Sequence, residues 1–146
     1  MKITLSAIIV LLIAFTSCSG TSKKSEATSV TTQTVKDYVE VIYFHGKQRC
    51  ITCNAIENLT KEVLQESFSE EVKKGKIQLR VIDISEKENE AIADKYEVSW
   101  SSLYINKWSD NQEKRENLTD FGFSYAKSSP DLFKEGIKEK ISTLLN

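Results

Sequence analysis

Two cysteines three positions apart stand where the chain changes its hydrophobic period, and that coincidence limits the possible folds more than any other feature. The stretch "YVEVIYFHG", 38 to 46, is a short β-branched and aromatic run ending in Gly, the pattern of a buried strand. From Cys50 onward Ile56, Leu59, Val63, Leu64, Phe68 and Val72 recur mostly three or four residues apart. That spacing predicts a helix with one apolar stripe, ending near Lys74–Gly75. Cys50 and Cys53 therefore fall at a strand-to-helix switch, "HGKQRCITCNAIE", with His45, Lys47 and Arg49 just upstream. Such a pair can exchange electrons, clamp a soft metal or close a small inert ring, and the choice depends on where the chain resides.

The opening "MKITLSAIIVLLIAFTSC" has a cation at Lys2, an apolar run from Ile8 to Phe15, and small residues before Cys18. This order is that of a secretory signal. The run falls short of the roughly 20 residues that a transmembrane helix needs. "FTSC" resembles the lipobox of bacterial lipoproteins, in which small residues precede a cysteine that is acylated and becomes the mature N-terminus, with Phe15 where Leu is usual. The expected organisation is a signal peptide over 1–17, a lipidated Cys18 with a tether over 18–34, and one domain over 35–146. The tether "SGTSKKSEATSVTTQT" has almost no large apolar residue and cannot bury enough surface to fold. Extended, it would let the domain reach roughly 50 Å from a membrane. The expected location is the bacterial cell envelope, facing the periplasm. The expected partners are the membrane, through lipid, and an envelope protein offering a thiol or disulfide.

Of three cysteines, only Cys50 and Cys53 remain to pair within the chain if Cys18 carries lipid. The remaining 112 or so residues suffice for a core without disulfide staples. A formal net charge of −1 offers no basic field for nucleic acid. No cofactor is implied, and a monomer is expected.

Further elements follow from the pattern. "KIQLRVIDIS" is strand-like, and "EKENEAIADKYEV" looks helical with Ala91, Ile92 and Tyr96 on one face. "SSLYINKW" and "ENLTDFGFSYA" alternate well enough for two strands of a hairpin joined by "SDNQEKR". In "SSPDLFKEGIKEKISTLLN", Ser129 suits a helix cap, Pro130 its first position, and Leu132, Phe133, Ile137, Ile141 and Leu144 a core face. The order β, α, β, α, β, β, α implies parallel pairing followed by an antiparallel edge.

With that order in place, "VIYFHGKQRCITC" resembles the thioredoxin-family segment in which a central strand leads into a CxxC at the start of a helix. "VIDISEKENEAIADKYEV" resembles the family's next strand and helix. The resemblance implies an α/β thioredoxin-like fold, a central mixed sheet of about four strands flanked by helices. It also implies that Cys50 is the nucleophile and Cys53 resolves the mixed disulfide. "YFHGKQRCITC" is further similar to thioredoxin-like proteins described as nitrophenyl-compound nitroreductase subunits of arsenic-resistance loci. Because the thiolate is the attacking species, the helix start, Arg49, Lys47 and a protonated His45 are expected to favour it on Cys50.

The chain also departs from the family. Where a cis-proline should face the dithiol, the loop is "EVSWSSLYI", with Ser101 or Ser102 at that place and Trp100 beside them as lid, peptide platform or core residue. The only proline is Pro130. The buried acid of the family is missing from Ile42–Tyr43–Phe44, so proton transfer would pass to His45, Glu57, Asp83 or water. The rival readings are a metal or arsenite clamp built from Cys50, Cys53 and His45, one ligand short of a closed four-coordinate zinc site, and a non-catalytic docking subunit. Tyr104, Trp108, Phe121, Phe123 and Tyr125 read as core and sheet faces, and Asn58 and Asn117 as chance glycosylation matches.

Overall fold

The computed structural model describes residues 37–146. The expected signal peptide, Cys18 and the tether lie outside the described residues. Strand β1 (Tyr38–His45) is followed by helices α1 (Ile51–Ser67) and α2 (Ser69–Lys73), then β2 (Ile77–Asp83). A single 3₁₀ turn (Lys87–Asn89) leads into α3 (Glu90–Lys95), followed by β3 (Ser102–Ser109), β4 (Gln112–Lys114), α4 (Thr119–Tyr125) and α5 (Pro130–Leu145). The sheet order is β2-β1-β3-β4. β1 runs parallel to β2 and antiparallel to β3, and β4 closes an antiparallel edge on β3. This α/β architecture, a four-stranded mixed sheet flanked by helices, is the thioredoxin-like fold.

β1 is buried because both its faces are covered. Val39, Val41 and Tyr43 join Ile77, Leu103 and Ile105 beneath α1, α4 and α5, where Ile56, Val63, Phe133, Ile137 and Ile141 complete the larger core. Ile42 and Phe44 point the other way and pack with Ile82 and Tyr96, so α3 covers a smaller second core. Its buried face is Ala93 and Tyr96, whereas Ala91 is exposed.

The apolar stripe of the long helix is broken at Phe68. That residue caps α1, its N–H bonding to the Leu64 carbonyl, and α2 carries on to Lys73. Gly75 then takes φ 72°, a left-handed conformation open to glycine at little cost, and the chain leaves the helix there.

The expected hairpin of long strands is corrected. Asp110 and Asn111, both at positive φ, turn β3 directly into the three-residue β4, and residues 119–125 form a helix. The Asn117 side-chain oxygen accepts from the Thr119 N–H at 2.9 Å, and Gly122 and Ala126 bond back to Leu118 and Gly122. Leu118, Gly122 and Ala126 are the buried line of this turn. Phe121, Phe123 and Tyr125 fan around it, so their alternation mimics a strand period without being one. In α5, Ser129 holds the capping position but its side chain makes no capping bond, and Leu132 is exposed. Phe133, Ile137, Ile141 and Leu144 do face the core. No helix among the described residues is long and apolar enough to cross a membrane.

Candidate active site at the Cys50–Cys53 disulfide

β1 ends at His45, and five residues later the chain enters α1 with Cys50 as its N-cap. Cys50 and Cys53 are joined as a disulfide, their Cα atoms 5.0 Å apart. Cys50 is exposed and Cys53 is only 6% exposed. The Cys53 backbone N–H donates to Cys50 Sγ at 3.0 Å. A first-turn N–H of a helix has no intrahelical partner, so it is available to a sulfur and most of all to a thiolate. The arrangement offers one accessible sulfur at a donor-rich helix start, with its partner sheltered one turn along.

Beneath the pair lies Tyr43, which sequence reasoning passed over. Its ring is fully buried and its hydroxyl donates to the Cys53 carbonyl at 2.9 Å. Burial pushes the Tyr43 phenol up, against the pull of Ser101 and Arg49, which lie beside its hydroxyl. A tyrosine in an otherwise apolar strand was the available signal, since a buried phenol needs a hydrogen-bond partner.

Two of the three cations expected to activate Cys50, Arg49 and His45, have carboxylate neighbours. Arg49 donates to Glu57 and lies over the Tyr43 ring, 5.7 Å from its centroid. Glu57, one turn beyond Cys53 and itself buried, also accepts from Lys61. Burial works to raise the Glu57 carboxyl, but hydrogen bonds and charges from Lys61 and Arg49 outweigh it and hold the group below the usual carboxylate range. The Nε of Arg49 is buried with no hydrogen-bond partner. His45 Nδ1 lies 3.1 Å from the Gly46 carbonyl oxygen and 3.9 Å from Asp83, its register partner on β2. Asp83 in turn accepts from the hydroxyl and N–H of Ser85, which lower its pKa. Lys47 is exposed. Among the described residues no three His, Cys, Asp or Glu side chains gather as a metal-holding group.

The serine loop arrives beside Tyr43 because β3 returns antiparallel along β1, pairing Ser102 with Phe44. Ser101 is buried and reaches Tyr43, whereas the Ser102 hydroxyl donates to the Trp100 carbonyl at 3.1 Å. No peptide bond among the described residues is cis. Trp100 is 55% exposed, so it is no core residue, and it packs on Phe123 at 5.3 Å between ring centroids. It forms one wall of a cleft of about 320 Å³ shared with Glu97, Ser102, Tyr104, Asn117 and Asp120.

The strand order and a CxxC at the first turn of α1 define a thioredoxin-like fold carrying a Cys50–Cys53 disulfide, a combination that fits thiol–disulfide redox chemistry. No family model matches the chain, and no curated protein does. Solved structures do. Fasciola hepatica thioredoxin is 16% identical over 73% of this chain and 81% of its own, with a TM-score of 0.45. Thioredoxin-2, a component of malaria parasite protein secretion machinery, is 23% identical over 70% and 84%, with a TM-score of 0.44. The first two thioredoxin domains of Naumovozyma dairenensis Eps1p are 20% identical over 66% and 36%, with a TM-score of 0.40. Likenesses at this level concern the fold alone, and the fold stands on the strand order and register.

Proposed function

We propose that this protein exchanges thiols and disulfides with a protein partner through Cys50 and Cys53, from a lipid-anchored position in the bacterial cell envelope. The observation that carries the chemistry is the asymmetry of the pair: Cys50 is exposed at the cap of α1 while Cys53 is buried behind it. In the reducing direction the Cys50 thiolate attacks one sulfur of a partner disulfide, and the other partner sulfur leaves as a thiolate. The Cys53 thiolate then attacks Cys50 Sγ, forming the intramolecular disulfide and releasing the second partner sulfur. Two electrons pass to the partner, whose thiolates take up the protons given by the dithiol. The same steps reversed oxidise a partner dithiol. Lipid at Cys18 and the tether rest on the sequence pattern, and they place the partner in or near the same membrane.

The test is to capture partners from the envelope. Cys53→Ser is expected to accumulate mixed disulfides, because Cys50 attacks and nothing resolves the adduct, whereas Cys50→Ser abolishes exchange. Exchange unaffected by either substitution would overturn the reading, as would stoichiometric copper(I) or arsenite binding by a dithiol that never turns over.

A further inference from the structure

Resting on that exchange reading, we propose that Glu57 sets the redox poise of the Cys50–Cys53 pair, holding it on the reducing side by compensating the Arg49 cation. Poise follows from which form of the pair is favoured. A positive charge beside the dithiol favours the thiolate, hence the reduced form, and makes the disulfide a stronger oxidant. The residue immediately before Cys50 is an arginine, which taken alone would push the pair in that direction.

The geometry cancels the push. Glu57 binds the Arg49 guanidinium, and the Tyr43 ring lies beneath it. With a side chain 11% exposed, Glu57 is poorly screened by water. Its second cation, Lys61, comes from the next turn and is half exposed. Of the other two candidate cations, His45 faces Asp83, and Lys47 is exposed, where water screens its charge. What remains to stabilise a Cys50 thiolate is chiefly the helix start itself. The dithiol then yields its electrons more readily than an uncompensated Arg49 would allow, and the natural substrate is an oxidised partner, a protein disulfide to be reduced. Glu57 acts through Arg49 and is a positioning residue.

The experiment equilibrates the full chain with glutathione buffers and reads the dithiol fraction. The wild-type pair is expected to be a better reductant than the Glu57→Gln variant. That substitution shifts the equilibrium about tenfold toward the dithiol, a rise of about 30 mV for a two-electron couple, and lowers the pH midpoint for alkylation of Cys50. Glu57→Asp keeps the charge and recovers part of the shift. Arg49→Gln placed in the Glu57→Gln background removes most of it, which a general loosening of the fold would not do. If the pair exchanges with glutathione but Glu57→Gln leaves the equilibrium within twofold, or if the double variant shows the full shift, this inference falls and the exchange reading stands. If the wild-type pair does not exchange at all, the exchange reading falls with it.

Discussion

Arg49 is buried at its Nε, lies over the Tyr43 ring and is bound to Glu57, so the charge next to Cys50 is first of all a structural cation. One carboxylate, with Arg49 and Lys61 both donating to it, couples the site to the stability of the whole domain. Its folded-state pKa lies below the unfolded carboxylate value of about 4.3. Between those two values the unfolded chain binds more protons, and there stability rises with pH. The Glu57 contribution is therefore complete above about pH 4.3 and is lost as the pH falls through the lower folded-state value. Denaturant midpoints measured from pH 6 down to pH 3 should fall in the wild type and fall less steeply in Glu57→Gln. Parallel slopes would mean that Glu57 carries no linked stability. The Arg49–Glu57 pairing was not legible in advance, although Glu57–Lys61 is an ordinary i,i+4 helix pair. Arg49 and Glu57 lie eight residues apart, across the start of a helix, and no periodicity rule joins residues that straddle a cap.

At the scale of elements, the sequence was most readable where one period ran uninterrupted. The β-branched run of β1, the three- and four-residue repeat of α1 as far as Phe68 and the CxxC between them lie where the pattern put them, while Val72, past the break, is exposed. It misled where side chains of one kind fell at the wrong period by chance. Phe121, Phe123 and Tyr125 read as a strand face, while the helical signal in the same segment was the quieter Leu118, Gly122, Ala126 line, with Asn117 accepting from the Thr119 N–H just ahead of it. Small residues at i, i+4 mark a close approach, and the structure shows what they approach. Gly122 meets Ile56 of α1, and at Gly136 of α5 an added Cβ would run into the Phe121 ring at Cζ. The Phe121 ring is hemmed in by Tyr125 and Phe133, with centroids 5.0 and 5.9 Å away. Gly136→Ala ought therefore to destabilise the domain by about 1–3 kcal/mol through overpacking, although alanine in an open helix would favour folding by nearly 1 kcal/mol. Urea unfolding decides the sign, and a higher midpoint in the variant would show that α4 yields without cost.

Across the whole molecule, the site draws on segments far apart in sequence: the end of β1, the cap of α1 and the loop entering β3. The first two are adjacent along the chain and were readable together. The third comes alongside only because β3 pairs antiparallel with β1 in the register that sets Ser102 against Phe44, and register is a property of the folded sheet. That register brings Ser101 to the Tyr43 hydroxyl and leaves Trp100 outside, its indole packed against Phe123 over the cleft that Glu97 and Asp120 flank. An exposed indole on the loop that enters β3 has area to offer a large partner and little to offer a small one. Trp100→Ala is accordingly expected to slow exchange with a protein disulfide about tenfold, the scale of an interface anchor, while exchange with glutathione stays within about twofold because it needs only Cys50 and the helix start. Paired rates on the two substrates test this. Equal slowing on both would place Trp100 among the residues that hold the dithiol, and no change on either would leave the loop without a part in partner binding.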